Sequence, residues 1–257
     1  MHLLDNHGVP ARFHVPEAER TGDVVALPDD EAQHLIRVLR LKTGAAVHVF
    51  NGRGGEFDAV VDAVAKGGAH VRVGTGREAV PEARVAVTLA QAVLKGDKMD
   101  GVVRDAVMMG VSAIQPIVTT RSEVTLAGLR RGHRQERWQR IAVSSAKQCG
   151  RAVVPAVLAP RAFESVAASL ADMTLPGPGL IFVEPSASAD ALSLADLDLT
   201  PPRETTVLIG QEGGWTGEEI GLGSAACRLV TLRARTLRAD AMAIVALTAL
   251  FTLWREL

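Results

Sequence analysis

Beyond residue 84, short apolar runs at 85–90, 113–117, 180–183, 205–209 and 229–232 alternate with helix-patterned stretches at 98–109, 135–146 and 216–224. Strands that alternate with helices are joined by crossovers, so this rhythm calls for a mainly parallel sheet with helices on its faces. Sheets of that kind bind ligands beyond the carboxyl ends of their strands. The turns that follow the runs are therefore the first places to look for a site.

The N-terminal part has another rhythm. Residues 12–15, 24–27, 45–50, 56–64 and 69–73 are short alternating segments, broken by turns such as Asn51-Gly52-Arg53-Gly54-Gly55, the pattern of a small barrel or sheet. One helix interrupts it: Asp30 with Gln33 three residues on reads as a capping-box start, and Leu35, Val38 and Leu39 form an apolar stripe. His34, Arg37 and Arg40 project from its other faces. We expect one domain over 1–74, a polar linker over 75–84 with Gly76 and Pro81, and a second domain over 85–257. A chain of 257 residues is long enough for two cores.

Composition narrows the class. The formal net charge is −1, yet basic residues gather at 37–42, 130–140 and 233–238, so a nucleic-acid surface is compatible with overall neutrality. Cys149 and Cys227 are far apart and in no metal-like spacing, which indicates neither a disulfide framework nor a zinc site and suits a reducing compartment. Residues 1–5 lack the basic-then-apolar pattern of a signal peptide. The most apolar stretch, 239–254, falls short of the roughly 20 residues that span a bilayer. It reads as a buried helix of a cytoplasmic protein, with no membrane partner.

The chemistry concentrates at one turn. Thr205-Thr206-Val207-Leu208-Ile209 is a β-branched strand, Gly210-Gln211-Glu212-Gly213-Gly214 a turn, and Thr216-Gly217-Glu218-Glu219 a capping box opening a helix. Backbone amides in such a turn can approach a ligand closely, but a tight connection in any α/β domain would look the same. A phosphate-binding P-loop is disfavoured because its lysine–hydroxyl pair is missing, and no Gly-x-Gly-x-x-Gly fingerprint follows the early strands.

The turn's neighbours make it specific. Leu208-Ile209-Gly210-Gln211-Glu212-Gly213-Gly214 resembles the Ile-Gly-Pro-Glu-Gly-Gly motif of the SPOUT, or trefoil-knot, RNA methyltransferases. Leu232-Arg233-Ala234-Arg235-Thr236-Leu237-Arg238-Ala239-Asp240 resembles their Leu-Gly-x-Arg-Ile-Leu-Arg-x-Glu motif. Further matches are Lys95-Gly96-Asp97-Lys98-Met99-Asp100, Thr120-Arg121-Ser122 and Gln148-Cys149-Gly150-Arg151 with Pro155. Upstream, Arg12-Phe13, the run 34–42 with Gly44, and Phe50-Asn51-Gly52 resemble the family's PUA-like RNA-binding domain. The likeness is strongest to the branch that methylates N3 of a uridine in small-subunit (16S) ribosomal RNA. Gln211, Arg233 and Asp240 depart from it, standing where proline, glycine and glutamate are usual.

The resemblance implies an α/β fold: a C-terminal trefoil-knotted SPOUT methyltransferase domain preceded by a small PUA-like β-barrel domain. It also implies S-adenosylmethionine as cofactor, no metal, and a cofactor site of three loops. The residues it assigns to that site are Val183, Glu184, Leu208, Ile209, Gly210, Glu212, Gly213, Gly214, Leu232, Leu237 and Arg238. Arg238 is the candidate for stabilising a uracil carbonyl oxygen, and Asp240 for a general base or an orienter of Arg238; loop capping and first-turn acidity are the structural alternatives. Ribosomal RNA or the small ribosomal subunit would meet Arg12, His34, Arg37, Arg40, Lys42, Lys95, Lys98, Arg121 and Arg151, and a solvated surface is the alternative for each. The lone Cys149 reads as a packed residue, since N3 chemistry needs no covalent adduct. The resemblance also implies a homodimer formed through the apolar helix 239–254, whose burial within one domain is the alternative. Two other functions fit the same residues: a SPOUT-fold RNA-binding protein whose catalysis is impaired through Gln211 and Arg233, and a SPOUT methyltransferase acting on another RNA.

Overall fold

The computed structural model describes residues 10–175, 177–188, 190–198, 200–232 and 235–257, and the chain divides into two compact units. The first unit holds the described residues up to Glu82 together with Ala146–Val154; the second holds Ala83–Ser145 and Pro155–Leu257.

The first unit is built on strands β1 (Arg12–His14), β2 (Val24–Ala26), β3 (Ala46–Phe50), β4 (Glu56–Ala65) and β5 (Gly68–Arg77). Their hydrogen-bonded order is β1-β3-β4-β5-β2, with β1 parallel to β3 and the remaining pairs antiparallel. Phe13, Val15, Val47, Val49, Val61 and Val71 alternate inward to form the core, as a sheet with one covered face requires. β5 runs on through Arg77, so three residues expected in the linker belong to the sheet. The segment Ala146–Val154 also joins this unit, bridging to it through Gly52 and Val153. Local spacing gives no sign of so distant a pairing.

Helix α1 (Asp29–Gln33) follows Pro28 and has no side-chain cap. The expected Asp30–Gln33 capping box is not formed. The helix starts two residues earlier, with Pro28 at the N-cap, so Asp30 lies inside the first turn and accepts the neighbouring Glu31 amide instead (3.0 Å). The backbone then widens into a π turn over His34–Val38, closed by Leu39 N–H donating to the His34 carbonyl (3.0 Å). The wider winding alters the expected stripe: Leu35 is fully buried, while Val38 is 67% exposed.

The second unit carries β6 (Ala86–Ala92), α2 (Lys98–Met109), β7 (Ala113–Val118), α3 (Leu126–Arg131) and α4 (Arg134–Cys149), whose last turn belongs to the first unit. There follow β8 (Ala156–Val157), β9 (Arg161–Ala162), α5 (Phe163–Ala171), β10 (Gly179–Phe182), β11 (Leu192–Ser193), β12 (Glu204–Ile209), α6 (Gly217–Ala226), β13 (Cys227–Thr231) and α7 (Ala239–Leu253). The sheet order is β11-β13-β10-β12-β6-β7-β8, with β9 beside β7, and every pairing is parallel. Leu208 and Ile181 pack with Phe163, Val166 and Trp215 on the α5–α6 side. Their strand neighbours Val207 and Leu180 are buried as well, so both faces are covered and the strands read as continuous apolar runs. Helix α7 buries Ala243, Ala246, Leu247, Leu250 and Phe251 and packs on α2. Among the described residues no helix is long and apolar enough to cross a membrane.

Candidate active site

The strand order sets the site. β10 lies between β12 and β13, and its last residue, Phe182, is level with Ile209 on one side and Val230 on the other. Three neighbouring strands thus end at the same height, and the loops that leave them must share one space. A cavity of ≈ 330 Å³ fills it, within the range of small-molecule sites. Its walls are Val183, Glu184 and Pro185 from the first loop, Gly210, Gln211, Glu212, Gly214 and Trp215 from the second, and Leu232, Arg235, Thr236, Leu237 and Arg238 from the third. Phe182, Ile209, Thr231, Ala239, Asp240, Met242 and Lys98 complete it.

The second loop is held in an open turn by its own chemistry. Gly214 has φ +65°, a left-handed conformation that costs a side-chain-bearing residue about 1–2 kcal/mol, and a Cβ there would stand 3.3 Å from Glu184 Oε1. A Cβ on Gly210 would press to 3.2 Å against the Trp215 ring. That ring is fixed by its indole N–H donating to the Phe182 carbonyl (2.9 Å) and by a tilted contact with Phe163. Gln211, where the resembling family has proline, restrains the turn by hydrogen bonding: its Oε1 accepts the Gly213 amide (2.8 Å) and its carbonyl accepts the Gly214 amide (2.9 Å). Beyond the turn the expected capping box is complete. Thr216 Oγ1 accepts from Glu219 N and the Glu219 carboxylate from Thr216 N.

Two ion pairs face the cavity. Lys98 Nζ donates to Glu212 Oε1 (2.8 Å), which also accepts the Lys95 amide (3.3 Å). Burial pushes the Glu212 carboxyl up, but the bonds from Lys98, from its own amide and from the Lys95 amide outweigh it and leave it below the ordinary carboxylate range. Arg238 grips Asp240 at two points, Nε to Oδ1 at 3.2 Å and Nη2 to Oδ2 at 3.0 Å. Desolvation pushes Asp240 up as well, and the hydrogen bond and charge of Arg238, the Asp240 amide and the charge of Lys98 bring it below its usual value. Both carboxylates are ionised at neutral pH.

Of the expected cofactor residues, Val183, Glu184, Ile209, Gly210, Glu212, Gly214, Leu232, Leu237 and Arg238 line this one cavity. Leu208 does not: it is fully buried beneath the loop in the α5–α6 core, because its position in β12 turns it to that face. Gly213 is also absent from the lining, its carbonyl being drawn behind the loop by Arg121. Arg233 lies outside the described residues. Reasoning from motifs missed Phe182, Trp215 and Met242 as wall residues.

The expected RNA residues separate. His34, Arg37, Arg40 and Lys42 lie at the surface or half-buried around the π turn, and Lys95 is exposed and paired with Glu123. Arg12 and Arg151 are both engaged by partners within the first unit. Arg12 stacks over Phe50 (3.9 Å), pairs with Glu56 and donates to the carbonyls of Ala146, Lys147, Gly150 and Arg151. Its guanidinium is thus fully engaged in closing the end of α4. Arg151 is 6% exposed and paired with Glu82. Lys98 lines the cavity, and Arg121 donates to the Gly213 and Trp215 carbonyls.

A family model described as an RNA methyltransferase domain matches residues 81–251, and one described as the RNA methyltransferase PUA domain matches residues 27–74. The Ribosomal RNA small subunit methyltransferase E of Synechocystis sp. is 31% identical, over 87% of this chain and 71% of that one. Its Mycobacterium bovis namesake is 29% identical over 94% and 92%. The crystal structure of the same-named protein from Neisseria gonorrhoeae, bound to S-adenosyl methionine, superposes with a TM-score of 0.85 at 32% identity, covering 95% of this chain and 98% of that one. With a parallel α/β unit that gathers three loops into one cavity and a small N-terminal sheet beside it in sequence, the chain belongs to the RNA methyltransferase family, in its SPOUT fold class with a PUA-like domain.

Proposed function

We propose that this protein is an S-adenosylmethionine-dependent methyltransferase acting on N3 of a uridine in small-subunit ribosomal RNA. The observation that carries the reading is the Arg238–Asp240 pair facing a cavity walled by glycine backbone and apolar side chains. The cavity suits the cofactor's parts. Val183, Ile209, Leu232 and Leu237 offer a flat apolar slot for adenine, the edges of the 210–214 turn offer backbone hydrogen bonds, and Glu184, Glu212 and Asp240 offer negative charge to a sulfonium or ammonium group.

When bound, the cofactor supplies an electrophilic methyl group on sulfur. The rest falls to the chain. For a bond to form between N3 and that carbon, N3 must first give up its proton to solvent, and the ring must carry the resulting charge on its carbonyl oxygens. Arg238 is the cation placed to stabilise that charge. Asp240, held ionised by Arg238, has too little proton affinity to be an effective acceptor for a weakly acidic imide and serves as the orienter. The three loops fix the approach direction, which supplies much of the rate in a transfer between two bound groups.

RNA would be held by the exposed cations Arg37, Arg40 and Lys42 on one unit and Lys95 on the other, with the half-buried His34 in the same π turn as Arg37. Helix α7 leaves Val245 38% exposed, and its neighbour α2 leaves Met108 39% exposed; this apolar surface supports a homodimer formed through α7, which sedimentation would show as twice the monomer mass. Free Cys149 and Cys227 fit a cytoplasmic location, where such an RNA substrate would be met.

The test is incubation with unmodified small-subunit RNA and the cofactor, followed by nucleoside mass spectrometry. The expected product is N3-methyluridine. A different methylated nucleoside moves the enzyme to another RNA target, and failure to bind the cofactor in a calorimetric titration leaves an RNA-binding protein.

A further inference from the structure

We infer that Arg121 is a positioning residue for the cofactor loop rather than an RNA contact. The inference deepens the proposed function, resting on its assignment of the 210–215 loop to the cofactor.

Glu212 and Gly214 face the cavity, while Gly213 does not. Behind it lies Arg121, in the connection between β7 and α3. Its Nη1 donates to the carbonyl of Gly213 and, at 3.4 Å, to that of Trp215. A Cβ on Gly213 would stand 3.3 Å from Arg121 Cδ, so the aliphatic stem backs the loop as its head group holds the carbonyls. The same connection is fixed one residue earlier. Thr120 N–H donates to Glu219 Oε1 (2.8 Å), and Glu219, 1% exposed, is the carboxylate of the capping box that closes the far end of the loop.

Two carbonyls facing one guanidinium fix the orientation of two peptide planes. Turning the Gly213 carbonyl toward Arg121 leaves the cavity side of the turn to Glu212 and Gly214. A polar group preset in this way need not be reordered when a ligand arrives, which favours binding. Both bonds leave Nη1, so lysine is a poorer substitute for want of preorganisation: its ammonium sits on a flexible stem, where the planar guanidinium is held rigidly toward the two carbonyls.

The experiment compares Arg121→Lys and Arg121→Ala with the wild-type chain. Cofactor affinity is measured by calorimetry, and RNA affinity is measured as a function of salt on unmodified small-subunit RNA. A positioning role predicts that both variants weaken cofactor binding, roughly five- to thirtyfold for alanine and less for lysine. It also predicts an unchanged salt slope for RNA binding. A phosphate contact predicts the reverse: unchanged cofactor affinity, a slope reduced by about 0.7 for alanine as one contact to a single strand is lost, and normal behaviour for lysine, which keeps the charge. Cofactor affinity within twofold of wild type in both variants overturns the inference. If alanine does not fold, the lysine variant decides alone, since it preserves charge and removes the rigid guanidinium that holds the two carbonyls. A wild-type chain that binds no cofactor would sink the underlying reading, whereas wild-type binding matched by Arg121→Lys sinks this inference only.

Discussion

Arg238 and Asp240 are joined by two parallel hydrogen bonds, 3.2 and 3.0 Å, across the first turn of α7, with the arginine side chain 75% exposed and the aspartate 32%. The aspartate sits in the helix's first turn, where the helix dipole favours negative charge, and its backbone there fixes the arginine at the cavity mouth. The pair is a way of aiming an exposed cation.

The direction of the Asp240 shift gives a pH prediction. Its folded-state pKa lies below the unfolded value, so the pair is intact above the ordinary carboxylate range and is lost only as pH falls through the lowered pKa. Single-turnover methylation should therefore show no acid limb from Asp240 between about pH 6 and pH 8, and should rise with pH as N3 ionises. Asp240→Asn should lower the rate about tenfold by loosening Arg238 and keep that pH slope. A general base would instead cost roughly 10²–10⁴-fold on removal and take the slope with it.

Replacing Gly214 tests the turn. Alanine there meets both the left-handed φ of +65° and the 3.3 Å approach to Glu184 Oε1. Gly214→Ala should destabilise the second unit by about 1–2 kcal/mol and weaken cofactor binding in calorimetry. Unchanged affinity would mean that the turn is not part of the binding wall.

A third prediction concerns packing between β10 and β13. Gly179 is in register with Cys227, and a Cβ on it would fall 2.4 Å from Cys227 Sγ and 3.1 Å from its Cβ. Gly179→Ala should lose about 1–3 kcal/mol in denaturant unfolding, and Cys227→Ala should recover part of the loss, giving a measurable coupling in a double-mutant cycle. Burial pushes the Cys227 thiol up to about 11, so in the native protein at pH near 8 it should resist alkylation until the chain unfolds.

The elements that periodicity could report were legible in the sequence. The 205–209 strand, the helix at 98–109 and the Thr216 cap depend on neighbours within one turn or one strand, and each formed where the residues placed it. What could not be read was set by distant pairings. Leu208 sits in the motif but faces the core, since the side of a strand is fixed by which helices cover it. The π turn at His34 and the joining of Ala146–Val154 to the first unit likewise depend on tertiary packing, whereas the Phe163, Val166, Ala167 and Leu170 stripe of α5 was legible in the sequence. Charge was the least legible property. Arg12, Arg121 and Arg151 read alike along the chain, yet their guanidinium groups are occupied by carbonyls and carboxylates that only the folded backbone brings near.

Arg12 offers the sharpest contrast between those readings. The side chains of Arg12 and Glu56 are 13% and 11% exposed, and the guanidinium also gathers four carbonyls at and just beyond the end of α4. Those carbonyls would otherwise be without intrahelical partners, and a cation at a helix C-terminus opposes the dipole favourably. Arg12→Ala leaves Glu56 half-buried and unpaired, so the expected loss is about 3–5 kcal/mol, read as a lower midpoint in denaturant unfolding. Glu56→Gln, which keeps the shape and a hydrogen-bond acceptor, should cost less than Arg12→Ala. An RNA-contact role predicts instead a stable Arg12→Ala protein whose RNA binding is weaker and less salt-dependent; that outcome would return Arg12 to the RNA surface.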